Sequence, residues 1–430
     1  MAESRRRMNF LLLFPHFNSP EQAGSMRSWQ IGRFLARRGH NVTLFAPGVD
    51  LRSGELFPEV RGRLYAESMV DGVKLIRPYS LPHFRRSAFR RLSFEITYGF
   101  LATLRSLTVK NVDVIVAAYP PAVTPLLAYL LARLRRLPFV YEMRDLMAEA
   151  LSATGYVKLK LFNQLALMIE NFLAKKSEHI ICVTPGIKKV LRVRGIDEIK
   201  ITVVTNGYEP EVFETADYDW NPRERYDWRD RFVVIYAGGL TQAYDLPTLL
   251  RAAERLRNDK DLLFVIVGEG DRKQEYQAFC KAKSLTNVQF IGYQRRKVMP
   301  NFLKSADLGV HLFPDDPLWA IVLGNKTFDY FASGLPMLYA GRGDTADLIR
   351  EAQAGIVVKP EDDEELAKSI VWFMNHRGKA KAMGKLGRDY VTTHYNRHKL
   401  LETFEKVNLM VTSNRDSNMK AGPHNKCLNQ

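Results

Sequence analysis

Two series of short apolar runs, separated by stretches with helical spacing, constrain this chain more than any other feature. The first series is Phe10–Phe14, Val42–Ala46, Val73–Ile76, Val112–Val116, Phe139–Glu142, His179–Val183 and Ile201–Val204. The second is Phe232–Ala237, Leu262–Val267, Val288–Ile291, Leu308–Leu312, Pro336–Ala340 and Ile356–Val358. Uninterrupted apolar runs of this length suit strands buried on both faces, and such strands form parallel sheets joined by helices. The helical stripes lie between them: Trp29, Ile31, Phe34 and Leu35 close at Gly39, and Leu161, Phe162, Leu165, Met168, Ile169, Phe172 and Leu173 share one face. A chain of 430 residues exceeds what one core organises. The expectation is two α/β, doubly wound domains facing a central cleft, over residues 1–214 and 215–395. Thr215–Arg231 reads as the linker, residues 396–411 as a last helix returning to the first domain, and 412–430 as a disordered tail with little to bury.

Composition excludes several classes. Hydrophobic and charged fractions of 46% and 26% do not fit a disordered or fibrous chain. The longest apolar stretch, Pro121–Leu131, falls short of the eighteen or so residues of a membrane span. Pro15 and His16 interrupt the signal-like start, and three distant cysteines write neither a disulfide framework nor a metal site, so a cytoplasmic location is expected. The charge is lopsided. Residues 1–200 hold 31 Lys+Arg against 16 Asp+Glu, whereas residues 201–430 hold 32 against 31. Such asymmetry suits an anionic partner (membrane surface, phosphate-bearing substrate or nucleic acid) or a solvated surface without one.

Four segments carry candidate chemistry. Pro20–Arg27 is a small-residue loop opening a helix, where free N–H groups favour an anion; Gly24 and Ser25 are its candidates, or simply an N-cap. It is not the GxGxxG of a dinucleotide-binding oxidoreductase. Gly238 and Gly239 end a strand where a backbone can approach a phosphate, and Gly268-Glu269-Gly270 ends the next in the same way; alone, each is also an ordinary turn. The densest segment runs from Asp315 to Pro336. Lys326 falls in the first turn of its helix, where a cation is disfavoured unless an anion binds, and Asp329 lies one turn on, suited to sugar hydroxyls. Their alternatives are a solvated lysine and a first-turn acid.

The Asp315–Pro336 pattern, D-x-P-L-x(6)-N-K-x-F-D-Y-x-A-x-G-x-P, resembles the retaining glycosyltransferases of family 4, which have the GT-B fold of two Rossmann-like domains. It is similar above all to the bacterial O-antigen and capsule N-acetylfucosaminyl transferase-like subgroup. Arg38–Thr43, Tyr141–Leu146, Thr205-Asn206-Gly207, Tyr236–Leu240, Gly268–Gly270 and Ala306–Val310 extend the likeness in order over about four hundred residues. The resemblance implies that the first domain binds the acceptor and the second a nucleotide-diphosphate sugar, with UDP the expected nucleotide. It implies that Asp329 holds the ribose, Lys326 with Gly238 and Gly239 the diphosphate, and Glu269 the base. Gly24 and Ser25 would approach the diphosphate or sugar, and Arg144 and Asp145 the sugar and acceptor, with Asp145 the candidate positioning or acid/base residue. No metal or other cofactor is implied, and Asp315-Asp316 reads as loop.

Departures from the family pattern are specific. Its two glutamates eight positions apart are Ile321 and Asp329 here; Gly239 and Tyr244 replace an Arg and a Lys, and Arg144 a His. Lys326 then becomes the main phosphate cation. The basic, apolar-interleaved segment Pro82–Leu92 suits an anionic leaflet beside a glycan or polyprenyl-diphosphate-linked acceptor, or a solvated surface. Two rivals are a nucleotide-sugar epimerase of the same fold, for which no set of catalytic acids and a His is found, and a nucleic-acid-binding protein, for which no motif is present.

Overall fold

The computed structural model describes residues 6–18, 26–146, 160–214 and 220–420. The chain forms two compact units. One holds the residues up to Thr205 and those from His398 onward; the other is Asn206–Arg397.

The first unit is built on eight strands: β1 (Asn9–Leu13), β2 (Asn41–Phe45), β3 (Tyr65–Val70), β4 (Val73–Pro78), β5 (Val114–Tyr119), β6 (Phe139–Met143), β7 (His179–Cys182) and β8 (Ile201–Val203). Their order is β3-β4-β2-β1-β5-β6-β7-β8, parallel except for β3, which is antiparallel to β4. The apolar runs became strands within a few residues of their expected limits. Strand β3 was not anticipated, because its side chains face water and carry no apolar run. Its signal is the Asp71-Gly72 turn, whose two positive φ angles (48° and 79°) are those of a tight hairpin.

Right-handed crossovers assign the helices to faces. Helix α1 (Arg27–Arg37) connects β1 to β2 on one side. Helices α2 (Ala88–Ser106), α3 (Val123–Leu134) and α4 (Lys160–Lys176) run from β4 to β5, β5 to β6 and β6 to β7, all in the opposite lateral sense and therefore on the other side.

The second unit has six parallel strands: β9 (Phe232–Ala237), β10 (Leu262–Val267), β11 (Val288–Gly292), β12 (Leu308–Leu312), β13 (Met337–Ala340) and β14 (Gly355–Val358), in the order β11-β10-β9-β12-β13-β14. Of the stretch anticipated as a linker, 215–219 lie outside the described residues, and 220–231 are built into this unit. Trp228 is fully buried, its indole N–H donates to Gln289 (2.8 Å), and Tyr226 and Phe302 pack beside it. The described aromatic residues of the stretch, Trp220, Tyr226 and Trp228, belong to the core, not to a spacer. The segment Asn325–Ala332 is helix α5.

The last helix, α6 (Arg397–Lys420), continues nine residues past the expected end at Val411, and its residues from His398 belong to the first unit. Leu401, Phe404, Val407 and Val411 are buried in the core formed by β1, β2 and α1. Each such side chain contributes roughly 1.5–3 kcal/mol relative to exposure. Thr412 is buried as well and donates to the Asn408 carbonyl (2.8 Å), so the helix does not fray where the polar composition begins. Residues 421–430 lie outside the described residues.

Candidate functional site

In an open parallel sheet, ligands bind at the carboxyl ends of the strands, where the strand order reverses. In the second unit that point lies between β9 and β12. Three side chains and two loops meet there. After β9 come Gly238 and Gly239; after β12 the chain turns through Asp315–Gly324 into α5. Lys326, in the first turn of α5, reaches back so that its Nζ lies 3.4 Å from the centroid of the Tyr244 ring and 5.2 Å from that of Tyr236.

No carboxylate stands within ion-pair distance of Lys326 among the described residues. Burial lowers the pKa of its ammonium, and the nearby Tyr244 and Asp329 work against that shift. A half-buried cation with aromatic neighbours and no ion-pair partner among the described residues is poised for an anionic ligand.

Gly238 is what allows the lysine into this position. A Cβ there would lie 2.2 Å from Lys326 Cε and 2.8 Å from Nζ. Its own N–H is taken by the Val267 carbonyl (2.9 Å), so Gly238 acts by its missing side chain and not as an N–H donor. The N–H groups of Gly239, Asn325 and Lys326 have no protein acceptor among the described residues. Two of these open α5, whose amino end favours negative charge. The site thus combines one ammonium with three free backbone donors.

Asp329 lies one helical turn beyond Lys326. Arg296 grips it with both terminal nitrogens, at 3.0 and 3.1 Å, and also donates to Glu209 (3.0 Å). Burial opposes the Arg296 charge, but Asp329 and then Glu209 outweigh it and hold the guanidinium pKa above its usual value. A carboxylate has about four acceptor positions, so two remain for hydroxyl donors. Glu269 sits on the rim, half-exposed and paired with Lys273 (2.6 Å). The glycine before it serves the packing of the loops, since a Cβ at Gly268, whose φ is 153°, would meet the Gly238 carbonyl oxygen at 1.8 Å. That strand end packs against the Gly238 loop, with Leu240 N–H donating to the Glu269 carbonyl (2.9 Å).

Sequence reasoning did not single out Arg296 or His311. Arg296 was announced only by the basic run Arg295-Arg296-Lys297 after β11. His311, fully buried on β12 between Phe313 and Tyr339, has neither ring nitrogen hydrogen-bonded among the described residues. Burial and then the Lys326 charge push its pKa well below the ordinary range, so the ring is neutral.

In the first unit, β1 and β5 flank the corresponding reversal. Arg144 follows β6, where its Nε and Nη2 donate to Glu142 (3.0 and 2.6 Å), its Nη1 donates to Ser28 (2.8 Å), and its guanidinium covers the Phe14 ring at 4.7 Å. Glu142 is wholly buried and also accepts from Arg27 Nε (2.7 Å). Burial raises the Glu142 pKa, but Arg144 and then Arg27 outweigh it and lower the net value, so the acid stays ionised. Arg144 is therefore fixed by an ion triad, with part of its donor set committed. Asp145 is half-buried, and one of its oxygens accepts from the Leu146 N–H (2.9 Å). Gly24 and Ser25 lie outside the described residues.

The geometry thus gives two α/β units, one of them with an anion-suited arrangement at its strand reversal; known proteins give the family. Residues 220–390 match the family Glycosyl transferases group 1, and residues 26–212 match Glycosyltransferase Family 4. An uncharacterized glycosyltransferase of Methanocaldococcus jannaschii is 24% identical over 348 residues, covering 78% of this chain and 81% of that protein. WcaI of Escherichia coli, a candidate colanic acid biosynthesis glycosyl transferase, is 25% identical over 249 residues, 56% of this chain and 61% of its own. The structure of Anabaena HepE in complex with UDP superposes with a TM-score of 0.69 at 14% identity, covering 93% of this chain and 99% of that one. The chain belongs to the group 1/family 4 glycosyltransferases of the GT-B fold, and is a nucleotide-sugar glycosyltransferase.

Proposed function

We propose that this enzyme is a retaining transferase. In this reading it moves a hexosyl or N-acetylhexosaminyl group from a UDP-sugar to a glycan or polyprenyl-diphosphate-linked acceptor in surface polysaccharide assembly. The observation that carries the reading is Lys326, which has no ion-pair partner among the described residues, beside the N–H groups of Gly239 and Asn325, which have no acceptor among them. Such a set suits a diphosphate, and Asp329 one turn away suits the ribose diol. UDP is favoured because the similar HepE structure holds UDP. A polysaccharide product is favoured by the name of WcaI and by the lysine motif of the N-acetylfucosaminyl transferase-like subgroup.

The second unit then takes the donor and the first the acceptor, with Glu269 beside the base, Gly24 and Ser25 near the diphosphate or sugar, and Arg144 and Asp145 on the acceptor side. In the reaction the bond from the anomeric carbon to the diphosphate oxygen breaks. The acceptor oxygen bonds to that carbon on the same face, and the acceptor proton passes to the departing phosphate. The developing charge falls on the diphosphate, where Lys326 and the backbone donors stabilise it without a metal. One preorganised donor of this kind supplies about 3–4 kcal/mol. Peripheral attachment to the cytoplasmic face of the membrane through the basic first unit would bring the enzyme to a lipid-linked acceptor.

The test is a thermal-shift panel with UDP, GDP, ADP and CMP on the wild type and on Asp329→Ala. A ligand at a hundred times its dissociation constant adds about 2.7 kcal/mol. The expected result is a shift with UDP that Asp329→Ala loses. No shift with UDP overturns the donor assignment, and a shift that survives in Asp329→Ala overturns the role of that residue.

A further inference from the structure

Three neighbouring helices of the first unit leave apolar side chains in water. On α2, Phe89, Ile96 and Phe100 recur at helical spacing and are 77%, 47% and 57% exposed. On α3 Leu134 is 74% exposed, and on α4 Met168 is 67% exposed, with Leu165 half-exposed three residues before it. Scattered exposed leucines need no explanation, but stripes on adjacent helices mark an interaction surface.

The helices are adjacent. Gly99 brings α2 close to α3, where a Cβ would meet Thr124 Oγ1 at 3.3 Å; Tyr129 of α3 packs edge-on against Phe172 of α4, with centroids 5.4 Å apart. All three lie on the same side of the sheet, opposite α1 and α6.

The charge around these stripes identifies the occupant. Helices α2, α3 and α4 carry seven basic and two acidic residues. One of the acids, Glu170, is fully buried, bonded to Tyr119 and ion-paired with Arg194. Arg91, Arg133, Lys175 and Lys176 are exposed. A second copy of the chain would set this positive rim against itself, which like-charge repulsion disfavours.

We propose that the face of α2, α3 and α4 docks on an anionic bilayer, its phenylalanine, leucine and methionine side chains entering the headgroup region while the cations meet lipid phosphates. Amphipathic helices with cationic rims bind in the membrane plane in this way. The proposal deepens the peripheral attachment given under the proposed function and rests on that reading for its purpose. It also moves the contact. Phe84 of the basic segment stacks inward on Phe94, 4.6 Å between centroids, so the apolar anchor lies along α2 and its neighbours and not in Pro82–Leu92 alone.

The experiment is co-sedimentation of the full chain with vesicles of phosphatidylcholine, with and without phosphatidylglycerol, at low and high salt. The wild type and the double variant Phe100→Glu/Leu134→Glu are compared, both positions being open to water and in the first unit, whereas the donor site is proposed in the second. Binding to the anionic vesicles is expected, weakened but not abolished by salt, and at least tenfold weaker in the double variant at both salts. Should the double variant melt at a lower temperature than the wild type, Met168→Glu on α4 provides the same comparison from a third helix. Equal binding by variant and wild type, or equal binding to neutral vesicles, overturns the proposal. So does self-association of the wild type that the variant abolishes, which would make a second copy the occupant. The readout needs no nucleotide, so failure of the UDP panel leaves it interpretable, and the reverse holds too.

Discussion

Both carboxylate oxygens of Asp329 are held by one guanidinium, with Arg296 Nη1 donating to Oδ2 at 3.0 Å and Nη2 to Oδ1 at 3.1 Å. Arg296 is itself pinned by Glu209, so the fork arrives oriented. The arrangement holds the carboxylate in one orientation, as the proposed contact with a ribose diol requires. Arg296→Lys keeps the charge but loses the two-pronged geometry. We expect the donor KM to rise about tenfold while kcat changes much less, because the interaction forms in ground and transition states alike. Steady-state kinetics check this, and an unchanged KM would remove Arg296 from the site.

Lys326 is expected to act differently. Lys326→Met should lower kcat by about 10²–10³-fold, the range for loss of one preorganised charge-stabilising donor, with a smaller effect on donor affinity. Gly238→Ala should reproduce much of that loss with the lysine still present. Its new Cβ would occupy the path of Lys326 Cε, and the flexible side chain would swing away at little cost to the fold. Turnover, donor affinity and melting temperature, measured on both variants, separate these effects. A fully active Gly238→Ala would show that the position of the ammonium over Tyr244 is incidental.

The reach of the sequence was set by whether a feature depends on neighbours along the chain or across it. Apolar runs such as Leu262–Val267 announce themselves, because a strand buried on both faces must be apolar throughout. Lys326 and Asp329 were legible for a related reason: one helix carries both, and spacing places them on consecutive turns. Arg296 reaches Asp329 from another connection, thirty-three residues away. Tyr244 receives the lysine across a strand reversal, and the Arg27–Glu142 pair spans 115 residues. No local pattern encodes these meetings. The aromatic stretch before β9 misled because polar residues around Trp228 masked a core segment, and the end of α6 misled because Thr412 is polar yet buried.

Glu95, on α2, gives a pH signature. Burial raises its pKa to about 7 from an ordinary 4.5, with the Arg91 charge working the other way. Between those values the folded protein binds a proton that the unfolded chain has released, so stability from this group falls as pH rises from about 4.5 to 7. The full penalty, on the order of 3 kcal/mol, is in force above pH 7 and absent below about pH 4.5. Glu95→Gln should therefore raise the melting temperature at pH 8 and do little at pH 4.5. Equal effects at both values would show that the carboxyl is not desolvated.

The return of the last helix to the first unit is secured by Glu405, which accepts from His40 Nε2 and pairs with Arg38 Nη2, both at 2.9 Å. Burial raises the Glu405 pKa, yet the hydrogen bonds from His40 and then Arg38 outweigh it and lower the net value. A depressed carboxylate pKa stabilises the fold above the unfolded value of about 4.5, and that contribution is lost as pH falls through the folded value. Glu405→Gln leaves Arg38 and His40 facing a neutral amide and should cost about 2–3 kcal/mol at pH 7, toward the low end for a broken buried pair because Arg38 is partly open to water. Glu402 also pairs with Arg38, at 3.7 Å, but is half-exposed. Glu402→Gln should change stability by less than about 0.5 kcal/mol. Urea unfolding of the two variants at pH 7 and pH 4 checks both statements. The Glu405→Gln deficit should shrink at the lower pH, and a deficit independent of pH would mean that packing, not charge, holds α6 in place.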